Sequence, residues 1–230
     1  MKNNVKKKAV EEKARDWEKT TVDMTSVDWK GNPIHLKNVP AIKNPVTGKA
    51  RVYPSDVSEA EIEALAEKHN IRPRDVPTLL TILAKPGHFK EGELHHKYRL
   101  NKTLFYLWKE LEREGLGSAF PHDEFVKAQR GPVPKNLEDD LKRLEDSGIV
   151  TVTFKEWGEG PESRKSAVIA LTNSGTQLAK EIWSEVAEPF KTATQKVKER
   201  YFTLDQKTIR DRVHREYPEY KETYTELDTD

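Results

Sequence analysis

The chain contains no cysteine. Disulfides, thiolate nucleophiles and thiolate-bound zinc are therefore excluded. It also lacks any apolar run long enough to span a bilayer. Residues 1–20, MKNNVKKKAVEEKARDWEKT, are charged and lack the apolar stretch of a signal peptide, so a cytoplasmic protein without membrane contact is expected. Charge of one sign is missing too: Lys+Arg number 40 against Asp+Glu 39. No overall electrostatic attraction for nucleic acid or membrane follows from that balance, and any basic patch must be local.

Motifs for cofactor or nucleophile chemistry are equally scarce. There is no Walker, Rossmann or G-x-S-x-G pattern. The stretch GEGPES falls between two predicted strands, with no helix N-terminus behind it to bind phosphate. His95 and His96 are neighbours, which on a helix point about 100° apart, and no i+4 partner completes a zinc site. No enzyme, metal or cofactor is expected.

What is present is patterned. A third of the 230 residues are charged and 35% are hydrophobic, which gives a modest core under an ionic surface. Residues 1–54 form a charged arm followed by a proline-rich segment. Pro33, Pro40, Pro45 and Pro54 forbid regular helix there, and AIKNPVTGKARVY is predicted to turn near Thr47 and Gly48 as a hairpin. This segment is expected to lie across the main domain, residues 55–188. Residues 189–230 are predicted to be a helical extension with a possible role in oligomerisation.

Within the main domain, Ser58 and Glu61 form an S-x-x-E box that predicts the first helix start. A second helix is predicted after Asp75, with Leu79, Leu80, Ile82 and Leu83 as its buried face. A third runs from about Asn101 to Glu114. A fourth starts at Pro134, carries Leu137, Leu141 and Leu144 inward, and stops at Gly148. Two strands follow, IVTVTFKEW and SAVIALT. Thr172 is predicted to cap the next helix, with Gly175 allowing close packing on the sheet. Pro189 must break that helix, and Thr203 with Gln206 suggests one more start. Tyr217, Tyr220 and Tyr224 fall in an acidic terminal stretch expected to fray. The fold class is mainly α with a small β-hairpin.

Two phrases, LEDDLKRLEDSGIV and VIALTNSGTQLAKEI, in this order, resemble the winged-helix regulators of the PadR and MarR type over about residues 75–188. The resemblance implies a homodimeric transcriptional regulator that binds double-stranded DNA. The fourth helix would enter the major groove through Lys135, Asn136, Asp139, Lys142 and Arg143, and the wing tip would be Ser163, Arg164 and Lys165. Lys127 and Arg130, just before that helix, would join a phosphate-contacting rim. The helix after the wing would form the dimer interface.

A second resemblance rests on Lys102, Phe105, Tyr106, Phe125 and Gly131-Pro132-Val133. These residues are similar to the Panacea, or SocA-like, antitoxin domain. It implies a protein that acts by binding another protein. The sequence keeps both readings open, because Lys135, Asp139, Lys142 and Asp146 alternate in sign along the outward stripe of the fourth helix.

Overall fold

The computed structural model describes residues 17–27, 33–52, 54–84, 93–94, 96–117, 120, 125–128, 131–157 and 164–220. These residues build a helical body carrying small antiparallel sheets.

The first sheet is made by strands β1 (Glu18–Val27), β2 (Pro33–Lys43) and β3 (Ala50–Val52), in that order. Strand β1 occupies a stretch for which the sequence predicted only an arm; residues 1–16 lie outside the described residues. The predicted hairpin is present: Ala41 pairs with Val52, and Gly48 turns the chain with φ +70°. Among the described residues, the sheet packs on the first helix of the main domain. Leu36 and Val39 pack with Val22, Met24 and Val52 onto Ala60 and Val57 of helix α1 (Pro54–Lys68), forming a small core of their own.

Helix α1 begins a turn before Ser58. Glu61 accepts a hydrogen bond from Ser26 Oγ of β1 at 2.9 Å, so the predicted box is not the helix start. Helices α2 (Asp75–Leu83), α3 (Lys97–Arg113) and α4 (Leu137–Asp146) follow. Their apolar faces meet in one core with Ile62 and Leu65 of α1. Pro134, expected to open α4, instead lies in a two-residue strand.

A second sheet has the order β4 (Glu93–Leu94), β8 (Arg164–Leu171), β7 (Val150–Trp157). The long connection between α3 and α4 contains a short antiparallel pair, β5 (Phe125–Val126) with β6 (Val133–Pro134).

Thr172 caps helix α5 (Asn173–Glu185) by accepting from the Gly175 N–H at 3.0 Å. Gly175 lies so close to the strand entry that a Cβ would sit 1.9 Å from the Ile149 carbonyl oxygen. Helix α6 (Glu188–Tyr201) starts anew at Pro189, and its Phe190 and Ala193 join the main core. Asp205, not Thr203, caps helix α7 (Gln206–Glu216), accepting from the Thr208 N–H at 2.9 Å. Tyr217 and Tyr220 are packed rather than frayed, each ring centroid 5.0 Å from that of Phe105.

Candidate interaction surface

Helix α4 is shaped by its three leucines. Leu137, Leu141 and Leu144 are buried, and the helix carries Glu138, Asp139, Lys142, Glu145 and Asp146 exposed on the other side. Two residues depart from this division. Asp140 is buried, and Arg143 is half-buried, its guanidinium turned inward.

The reason lies on α2. Asp75, at the first turn of α2, is fully buried and ion-paired to Arg143. Burial raises the Asp75 carboxyl above the usual range; the Arg72 backbone N–H and the Arg143 guanidinium oppose that shift. Arg74 Nε donates to Asp140 Oδ1 at 2.8 Å, and Arg72 lies 3.7 Å from the same oxygen. Two carboxylates and three guanidinium groups thus fasten α4 to α2. Charges this far out of water persist only when paired.

The positions expected to contact DNA are therefore unequal. Lys127, Lys135 and Asn136 are exposed, before or at the start of α4. Lys142 is exposed but lies 3.3 Å from Asp146 one turn later. Arg143, expected on the outward stripe, is committed to the buried carboxylates. Arg130 and Ser163 lie outside the described residues. Arg164 and Lys165 open β8, paired in register with Trp157 and Glu156, and their side chains lie outside the described set. The exposed part of α4 holds four carboxylates (Glu138, Asp139, Glu145, Asp146) and one cation of its own, Lys142, with Lys135 just before it and Lys97 of α3 paired to Glu138.

Beside α4 runs β7, the outer strand of its sheet. Glu145 Oε1 accepts from the Val152 N–H at 2.9 Å, which brings the end of α4 to the strand's open edge. Phe154, two residues on, is 70% exposed. Among the described residues the exposed large hydrophobic side chains are Val46, Val126 and Phe154. None lies on α5, the helix expected to form a dimer interface. That helix spends Gly175, Ala179 and Ile182 on burial within the chain.

A second cluster fixes the loop that leads into α4. Lys102, on α3, is buried, and its Nζ donates to the Pro132 carbonyl at 2.7 Å. Burial pushes the ammonium down to about 7. Gly131 has φ +87°, and a Cβ there would lie 3.2 Å from Lys102 Nζ and 3.3 Å from Val213 of α7. One turn along α3, Phe105 meets Phe125 edge-on at 5.3 Å, and Tyr106 stacks on Tyr201 of α6 at 3.7 Å. Lys102, Phe105, Tyr106, Phe125 and Gly131-Pro132-Val133 thus sit together, joining β5, β6, α6 and α7 to one face of α3. Two features of this region were missed in the sequence: the exposure of Phe154 and the closure of the aromatic cluster by Tyr217 and Tyr220.

Among the described residues, no group of three or more His, Asp or Glu side chains is placed to hold a metal ion. None of the described helices is long and apolar enough to cross a membrane. No family model and no curated protein matches this chain.

Proposed function

We propose that the chain is a non-catalytic protein-interaction module built on a winged-helix arrangement, with α4 and the edge of β7 as its binding face. The observation that carries this reading is the charge of α4. Its exposed side presents four carboxylates, of which Glu138 is paired to Lys97 of α3 and Asp146 to Lys142, while its one arginine is withdrawn to Asp75 and Asp140. A helix entering the major groove meets one phosphate charge per ~1.7 Å of duplex, and acidic groups there oppose binding. A protein surface with basic groups gains from the same carboxylates.

The exposed aromatic ring of Phe154 fits this reading as well. Aromatic side chains are enriched at protein-binding surfaces, where they act as anchors. The convergence of Lys102, Phe105, Tyr106, Phe125 and Gly131-Pro132-Val133 supports the antitoxin-like variant of the reading, because these are the residues that carry that resemblance.

DNA binding is the second reading. It is favoured by the order α2, β4, α3, α4, β7, β8 with sheet order β4-β8-β7, and by exposed Lys127 and Lys135 beside α4. A titration of a fluorescent mixed-sequence duplex separates the two. The protein-binding reading expects no saturable binding at moderate salt. The DNA reading expects saturable binding that falls steeply between about 50 and 200 mM salt and weakens when Arg164 and Lys165 are changed to Ala.

A further inference from the structure

We infer that the outer face of the first sheet, around Arg51 and Trp17, docks an acidic segment of a partner protein. The inference rests on the protein-binding reading and adds a second surface, opposite in charge to α4. Residues 29–55 carry Lys30, Lys37, Lys43, Lys49 and Arg51 and no Asp or Glu, in a chain whose charges otherwise balance. Such an uncompensated run creates a local positive field on a protein of near-zero net charge.

Strand pairing decides which of these cations share a face. Lys19 of β1 lies opposite Ile42 of β2, and Ile42 lies opposite Arg51 of β3. Residues directly opposite each other point to the same side of a sheet. The other side holds Leu36 and Val39, packed on α1, and the buried Ala41 next to Ile42. Lys19, Ile42 and Arg51 therefore form one row facing outward. Lys49 joins them two residues before Arg51, since the β2–β3 pairing continues to a bond from the Asn44 N–H to the Lys49 carbonyl. The three cations are exposed and Ile42 is half-buried.

Trp17, directly before β1, reaches across β2, and its ring lies 4.7 Å from the Arg51 guanidinium on β3. A guanidinium stacked on an indole keeps its N–H fork open at the edge, oriented for a carboxylate. Among the described residues, no carboxylate pairs with Lys19, Lys49 or Arg51. The sheet's two acids are engaged or turned away. Asp23 Oδ1 accepts from the Asn38 N–H at 2.9 Å, and Glu18 lies opposite Lys43 on the side of α1.

Three cations around an indole and an isoleucine match an acidic peptide. Its carboxylates pair with the cations, and its apolar side chains cover Trp17 and Ile42. A DNA backbone would use the cations and leave the apolar centre bare, with far fewer phosphate contacts than the roughly 6–10 that make duplex binding steeply salt-dependent. A second copy of this chain would bring the same cations to the face, which like-charge repulsion opposes.

The test uses the full chain and two labelled peptides, one alternating glutamate with valine and one alternating lysine with valine. Binding is read by fluorescence anisotropy, and the Trp17 indole N–H signal, identified with Trp17→Phe, is followed by NMR. The expected result is that the glutamate peptide binds and moves the Trp17 signal, while the lysine peptide leaves that signal in place. Arg51→Ala is expected to weaken binding about tenfold, and Arg51→Lys to restore only part of it, because an ammonium lacks the planar fork. Lys19→Ala, which keeps the Trp17–Arg51 stack, is expected to weaken binding too. Lys142→Ala, at an exposed cation of α4, is expected to bind as the parent does.

The inference is overturned if the glutamate peptide fails to bind or leaves the Trp17 signal unmoved at saturation. It is overturned if Arg51→Ala and Lys19→Ala bind as the parent does, or if Lys142→Ala weakens binding as much as they do. A dimer in sedimentation that Arg51→Ala dissolves also overturns it. So does movement of the Trp17 signal without peptide when residues 221–230, the chain's own acidic end, are removed. Each of these results sinks the sheet face alone and spares the protein-binding reading. Saturable, salt-steep duplex binding sinks that reading, and the inference with it.

Discussion

Arg143 of α4 is ion-paired to Asp75 at the first turn of α2. The pair withdraws the helix's one arginine from the surface and joins two helices through a carboxylate that has no exposure to water. Removing one member of such a pair leaves a buried charge uncompensated. Arg143→Ala is therefore expected to destabilise the fold by about 3 kcal/mol. Lys142→Ala, which opens a solvent-facing pair with Asp146, is expected to cost well under about 1 kcal/mol. Urea denaturation of the two variants checks the contrast.

Lys102 and Lys198 give a pH signature. Both are buried, and burial pushes both ammonium groups down to about 7, whereas an unfolded lysine titrates near about 10.4. Between those values the unfolded state holds more protons than the folded one. Stability therefore rises with pH across that window and carries its full penalty below about 7. The gain in melting temperature from neutral to alkaline pH is expected to be smaller in Lys102→Met, and again in Lys198→Met, than in the parent chain.

Gly175 is required by contact. A Cβ there would sit 1.9 Å from the Ile149 carbonyl oxygen, and the atom it meets is backbone that cannot swing aside. Gly175→Ala is expected to cost about 3 kcal/mol, read from the thermal transition, and to loosen the joint between β7 and α5.

The start of α7 separates two caps. Asp205 accepts from the Thr208 N–H, and Thr203 is exposed upstream. Asp205→Ala is expected to lower the denaturation midpoint, and Thr203→Ala to leave it in place.

Much of the helical body was legible because it rests on local chemistry. The spacing of Leu137, Leu141 and Leu144, the stop at Gly148 and the Thr172 cap each depend on neighbours within a turn or two. Strand β1 was not legible, because its half-buried row, Thr20, Val22, Met24 and Ser26, is too polar to mark a strand in an ionic stretch. A register shift between Val22 and Met24 also interrupts its pairing.

The candidate surface was read less well for the same physical reason. Helical spacing places Arg143 on the outward stripe of α4, and the position of Asp75 on α2 turns it inward. The sequence predicts Asp75 as the cap of α2, a local role that announces no distant cation; in the structure Arg74 holds the cap position and Asp75 is the first helical residue. Phe154 follows Val150 and Val152 on the same strand face, which suggests burial. Val150 is buried and Val152 half-buried, whereas Phe154 is exposed. Tyr217 and Tyr220 sit in an acidic stretch and are held by Phe105, more than a hundred residues earlier.

The most direct test of the α4–β7 face as a protein-binding surface is the duplex titration followed by anisotropy across salt. The account predicts no saturable binding at moderate salt, with Arg143→Ala changing stability and not DNA affinity. Saturable binding that falls linearly in log affinity against log salt, and is lost on changing Arg164 and Lys165 to Ala, would contradict it.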